Sequence, residues 1–243
     1  MNNIFKKKKR VSIFKDPEII GAESTISDRA YNAIIGLVLL WGLGITAVIC
    51  GLFSDKIVNY IADLTIKTDS PLPIIGFLVG YLVLTIVGNI ISAKSNNPIV
   101  SFIGYNLVVI PTGIILSVIV STYTSASIIL ALMITLICVA VMMLLSTLFP
   151  KFFLSIGKTL FIALLVTVVI ELILALTGVL STSGNKIIEG IVALIFCGYI
   201  GYDWARAQRC AKTPDNAVDV CVALYMDIIN IFIRLLEIFG EEK

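Results

Sequence analysis

Histidine is absent from the 243 residues of this chain, which excludes the usual switch near neutral pH and the commonest metal ligand. Any proton chemistry must therefore fall on carboxylates. Charge is scarce as well. Asp, Glu, Lys and Arg make up 14% of the residues, against about 25% in a soluble domain, too few to cover a water-exposed surface. With 58% hydrophobic residues and a mean hydropathy of +1.04, the chain needs lipid as its solvent. A formal net charge of +2 gives no global field to recruit nucleic acid, so no nucleic-acid partner is expected. The cysteines (Cys50, Cys138, Cys197, Cys210 and Cys221) show no Cys-x-x-Cys spacing, which argues against a disulfide framework or a zinc centre. No cleavable leader is expected, since the first apolar run begins near Ala33 and is too long for a leader core.

Seven apolar stretches are present. They run from Ala33 to Phe53, Ile74 to Ser92, Ile99 to Val120, Ser127 to Phe149, Ile156 to Leu180, Ile187 to Trp204 and Val218 to Phe239. Each is about 20 residues, enough for roughly 30 Å of hydrocarbon. The expected fold is an all-α integral membrane protein, a seven-transmembrane-helix bundle over residues 31–243, preceded by a basic arm over residues 1–30. The run Lys6-Lys7-Lys8-Lys9-Arg10 in that arm reads as a topogenic or lipid-headgroup patch. Residues 54–70 read as the longest connection, closed by Pro71 and Pro73. Pro111 reads as a kink that neighbouring helices satisfy. Glycines at helical spacing, Gly36, Gly42, Gly44 and Gly51 in the first span and Gly76, Gly80 and Gly88 in the second, read as close packing surfaces.

Lys and Arg set an orientation. With a cytoplasmic N-terminus, every inner segment is basic: the arm, Lys94, Lys151 with Lys158, and Arg206, Arg209 and Lys212. The outer set is Lys56, Lys67, Lys186, Arg234 and Lys243. Seven spans with the N-terminus inside satisfy the positive-inside rule, and short loops suit a bacterial plasma membrane. The last span is the most polar and is open to a re-entrant reading.

Ionisable residues within spans are costly and face a cavity or a partner. Glu171, Asp203, Asp227 and Arg234 are the ones to explain. Asp203 and Asp227 each lie twelve residues from Asp215, in the turn between the last two spans. In an antiparallel hairpin, residues equidistant from the turn share one depth, here about 10 to 18 Å from it. Two carboxyls at one level in a dry bundle are expected to share a proton. Along the last span, Asp219, Asp227, Asn230, Arg234 and Glu237 fall within roughly an 80° arc at about 100° per residue, a buried seam or a water-filled path. For Asn230 and Glu237 the expectation is interhelical hydrogen bonding.

The same residues resemble a known family. Gly201-Tyr202-Asp203, the basic turn, the run from Asp219 through Ala223-Leu224-Tyr225-Met226-Asp227-Ile228-Ile229-Asn230 to Phe232, and the terminal Leu-Leu-Glu-Ile-Phe-Gly resemble the C-terminal signature of the Bax inhibitor-1 (transmembrane Bax inhibitor motif) family. The resemblance implies a seven-helix bundle with the last helix central, acting as a pH-sensitive calcium leak. It assigns Asp203 and Asp227 to the proton-sharing gate, where they also offer a weak, transient stop for calcium. Asp219, Asn230, Arg234, Glu171 and Lys94 would support the polar seam, Lys94 as the nearest match to a basic residue that pairs with the sixth-helix aspartate. The third span departs from the family pattern, with no acidic residue between Tyr105 and Gly113.

No cofactor is implied; calcium is the permeant ion, and protons, the bilayer and other membrane proteins are the further partners. Three other readings stay open. An intramembrane aspartyl protease would use Tyr202-Asp203, but Asp227 follows Leu224-Tyr225-Met226 rather than a Gly-x-Gly, and no Pro-Ala-Leu element is present. A proton-coupled carrier of a small solute would show inverted repeats, and none is visible. A non-conducting regulator would act by binding other membrane proteins.

Overall fold

The computed structural model describes residues 25–177 and 182–243. Most of the basic arm, with its lysine run, lies outside the described residues, as does the end of the fifth span at Leu180. Among the described residues seven helices form: α1 (Asp28–Thr68), α2 (Leu72–Lys94), α3 (Pro98–Ser121), α4 (Ser125–Leu148), α5 (Pro150–Thr177), α6 (Thr182–Ala207) and α7 (Pro214–Phe239). The first six are long and apolar enough to cross a membrane.

The seventh is polar, and the bundle wraps it. Most of α7 is buried, including Asp215, Asp219 and Asp227, and α1, α3, α4 and α6 all pack on it. The reason is energetic: a helix with this many ionisable groups is expensive against lipid and cheaper against protein. It runs the length of the bundle without a break. At its start, the Ile26 amide donates to the Lys212 carbonyl in the α6–α7 turn. At its end, the Thr124 amide donates to Glu241 and the Lys243 amide to Thr122, tying the C-terminal residues to the α3–α4 turn. The last helix is therefore not re-entrant.

Helix ends follow the sequence signals. Ser27, Asn97, Thr124 and Thr213 each cap a helix through a side-chain oxygen, and Pro98, Pro150 and Pro214 take the first helical position, where a missing N–H costs nothing.

Two expectations are corrected. Residues 54–68 are not a connection but the continuation of α1. This stretch has neither Gly nor Pro, its apolar positions Ile57, Tyr60, Ile61 and Leu64 fall at helical spacing, and Lys67 pairs with Asp63 at 3.2 Å. The helix ends where Asp69 turns left-handed, at φ 46°. Nor are all the glycines packing surfaces. Gly88 and Gly104 meet backbone to backbone where α2 crosses α3, and Gly42 admits the ring of Tyr105, whereas Gly36, Gly44, Gly51, Gly76 and Gly80 face open space. Close approach is what holds such helices together in lipid, where apolar burial gives no drive.

Candidate functional site

The α6–α7 hairpin carries the two aspartates, and its turn is fastened to the start of α1. The Tyr31 hydroxyl donates to the Ala207 carbonyl at 3.3 Å, Gln208 Nε2 donates to Asn32 at 2.9 Å, and the Lys212 ammonium lies 4.6 Å from the Tyr31 ring centre. Within the turn, Asn216 Nδ2 donates to the Ala211 carbonyl at 2.8 Å. These contacts fix the register between the two helices.

Asp203 is aimed by its flanks. Gly201 and Gly157 leave room for the rings of Phe153 and Tyr202, so α5 and α6 pack closely. Ser146 Oγ donates to the Gly201 carbonyl at 2.5 Å and Trp204 Nε1 to Thr147 at 3.0 Å, holding α6 against α4. On α7, the Tyr225 and Thr46 hydroxyls are hydrogen-bonded at 2.7 Å, and the Tyr225 ring stands edge-on to Tyr105. Ser92 donates to Asp219 at 2.5 Å and Ser101 to Asp215 at 2.7 Å. Side chains from α1, α2 and α3 thus pin one helix.

With both helices held, the Asp203 and Asp227 carboxyls come within hydrogen-bonding contact of each other. Asp227 is buried, and its Oδ2 has no hydrogen-bond partner among the described residues. Tyr199 lies beside both. Asp203 forms part of the wall of a cavity of about 390 Å³, with Asn89 of α2, Gly157 and Phe161 of α5, Tyr199, Tyr202 and Arg206 of α6, and Asp219 of α7. An adjoining cavity of about 270 Å³ shares Asn89 and Asp219 and adds Ser92 and Lys94. Asp203 therefore borders an opening of mixed polar and apolar lining on the side of the α6–α7 turn.

The fold this signature belongs to now has independent support. Residues 25–243 match the family described as inhibitor of apoptosis-promoting Bax1. The chain belongs to the Bax inhibitor-1 family. Among curated relatives it is 41% identical over 87 residues to an uncharacterized protein of Helicobacter pylori, covering 35% of this chain and 36% of the other. It is 35% identical over 91 residues to a BI1-like protein of Arabidopsis thaliana, covering 37% and 35%. It is 37% identical over 70 residues to protein lifeguard 4 of Mus musculus, covering 27% and 29%. These matched stretches span about a third of each relative or less.

Against the Bax inhibitor-1 pattern, the remaining seam residues fall in three places. Lys94 lines the adjoining cavity with Asp219; the cation facing Asp203 is Arg206, one turn further along α6. Asn230 donates to the Met226 carbonyl of its own helix at 2.8 Å, not across helices as expected. Glu171 joins Arg234 at 3.3 Å, in a second cluster that also holds Glu189 and Glu237.

Sequence reasoning missed Glu189 and gave Arg206 only a topogenic role. Glu189 reads as part of a polar turn beside Lys186; it lies 26 residues before Asp215 and Arg234 lies 19 after it, so the equal-depth signal that singles out Asp203 and Asp227 does not find this pair. Among the described residues, no group of three or more acidic, Cys or His side chains is placed to hold a metal ion.

Proposed function

We propose that this membrane protein is a pH-sensitive calcium leak, gated by a proton shared between Asp203 and Asp227, and not an enzyme. One observation carries the reading: two carboxyls on adjacent helices in hydrogen-bonding contact, with Asp203 at the wall of a cavity. Both groups are acceptors when ionised, so the contact needs one proton between them. Losing that proton sets two like charges against each other in a poorly solvated place, which pushes α6 and α7 apart. The same event exposes four carboxylate oxygens. Calcium wants six to eight oxygen ligands, so the pair holds it weakly and water completes its shell, as passage requires. Asp219 and Asn89 on the cavity wall offer further oxygens on the approach.

The sign of the pH dependence follows. Acid keeps the pair protonated and bonded, which closes the path; alkali ionises it and opens the path. Lys and Arg at the cavity end of the bundle support a reading in which that end faces the cytoplasm of a bacterial cell, with the N-terminus inside.

The test is calcium flux into proteoliposomes loaded with a calcium indicator, between about pH 5 and 8. Flux in the wild type should rise with pH, and Asp203→Asn and Asp227→Asn should each flatten that rise. Unchanged profiles in both variants would remove the pair from the mechanism; no flux at any pH would leave a non-conducting regulator.

A further inference from the structure

Away from the aspartate pair, a cavity of about 300 Å³ lies between α1 and α4 and shares no residue with the two cavities beside Asp203. Helices α1 and α4 both pack on α7 but scarcely on each other, which leaves a lateral gap in the wall around the central helix. Ala47 and Gly51 of α1, four residues apart and so on one face, edge the gap on one side, and Leu132 and Leu136 of α4 edge it on the other. All four are exposed on the outer surface of the bundle. A Cβ on Gly51 would meet nothing within 4 Å, so the space beside it is open. The floor is α7 itself: Ile228, Ile229 and Phe232 line the cavity and keep only 5% to 7% of their exposure. The groove therefore reaches the central helix directly after Asp227, within the apolar stretches of α1 and α4, on the side of the α3–α4 turn.

The lining fixes the chemistry of what enters. Its polar groups already have partners. The Thr46 hydroxyl is bonded to the Gly42 carbonyl at 2.9 Å and to the Tyr225 hydroxyl at 2.7 Å. Thr135 donates to the Ala131 carbonyl at 2.7 Å and Cys50 to the Gly113 carbonyl at 3.8 Å. The other lining residues are glycine, alanine, aliphatic or Phe232. Water needs two to four polar partners in such a place and finds none to spare. One turn of a helix about 10 Å across and 5.4 Å in pitch takes more volume than the groove has, so a partner's helix does not seat in it. An unfilled space forfeits dispersion contacts along its whole lining. The medium at the exposed edges is hydrocarbon, continuous with the lipid-facing surface of α1 and α4, and a hydrocarbon chain is narrow, apolar and flexible enough to fill the groove.

We propose that the α1–α4 groove is a binding site for one acyl chain of a membrane phospholipid, drawn from the leaflet on the side of the α3–α4 turn. The chain supplies the packing that α1 and α4 do not give each other and lies against α7 at Ile228, Ile229 and Phe232. The site does not depend on the calcium path.

Photolabelling of the full chain tests this. The protein is reconstituted in vesicles of phosphatidylethanolamine and phosphatidylglycerol that contain a phospholipid with a diazirine in its acyl chain. After irradiation, labelled residues are mapped by mass spectrometry. Outward residues such as Leu194 of α6, which keeps 73% of its exposure, take label from bulk lipid and serve as the reference. Wild type should also carry label at Ile228, Ile229 or Phe232, which bulk lipid reaches only through the groove. Ala47→Leu and Gly51→Leu each put a branched side chain into the space and should lose most of that α7 label while keeping the label on Leu194. Either variant serves if the other fails to fold, and the wild-type map decides if both do. Wild-type label confined to outward residues overturns the site, whether the groove is empty or filled by a second copy of the chain. Label on α7 that persists in both folded variants also overturns it, since the chain would then reach α7 by another route.

Discussion

A carboxyl placed against another carboxyl is stable only while a proton lies between them, and Asp203 and Asp227 are held in that relation by neighbours that do not titrate near neutrality. The hydroxyls of Thr46, Tyr225, Ser92 and Ser146 set the helices. Single residues elsewhere can be tested on the same physical grounds. A Cβ on Gly104 would strike the Gly88 carbonyl and the Ser92 amide, both backbone, and backbone cannot rotate away. Gly104→Ala should therefore cost about 1–3 kcal/mol and lower the thermal midpoint in detergent, while Gly80→Ala, with open space around it, should not. In the α6–α7 turn, burial pushes the Cys210 thiol above its ordinary range, against the lowering effect of the Tyr31 hydroxyl and Lys212. A raised thiol holds less thiolate at any given pH, so alkylation of Cys210 by iodoacetamide should rise at a higher pH than that of a free thiol at about 8.5. A rate that rises at the ordinary pH would show the turn to be open. The aspartate pair was legible because equal distance from a turn means equal depth. Glu189 and Arg234 are not equidistant from Asp215, and the place of Glu189 beside Lys186 at the edge of an apolar run disguised it as a loop residue.

At the scale of the element, α1 and α7 show what hydropathy alone does and does not encode. The seven apolar stretches match seven helices because a backbone in lipid must satisfy its own hydrogen bonds. Polar residues do not end a helix once the chain has left the lipid, so Ser54-Asp55-Lys56 marks the end of an apolar run and not the end of α1. Backbone amides from Ile57 to Ile66 should accordingly be protected in hydrogen exchange, and Ile61→Pro should abolish that protection by removing a donor and clashing with the preceding turn. Lys67→Ala should change stability by less than about 1 kcal/mol, because its partner Asp63 and Lys67 itself are both well exposed. Glycine spacing misled for a related reason: a Gly-x-x-x-Gly pattern permits close approach without saying whether a neighbour comes. Gly88 is met by α3, while Gly76 and Gly80 face outward.

On the scale of the whole molecule, the bundle is arranged around its most polar helix. The burial of α7 shows this, as the family resemblance implied; the polarity of α7 alone pointed only to a buried seam or a water-filled path and left a re-entrant last span open, yet a helix with three buried aspartates has no stable place against lipid. The sequence did not foretell how the two charged clusters divide that helix, because Arg206 and Glu189 come from other parts of the chain. Along α7 the aspartate pair and the Arg234 cluster stand about two turns apart. Everything in the proposed gate depends on the proton between Asp203 and Asp227. Infrared difference spectroscopy of the protein in lipid, scanned through the C=O stretch of protonated carboxylic acids at neutral pH, reads that proton directly. The account predicts a protonated-carboxyl band in the wild type that disappears when the pH is raised and is lost or shifted in both Asp203→Asn and Asp227→Asn. A wild-type spectrum with no such band, or a band that survives unchanged in both variants, would contradict it.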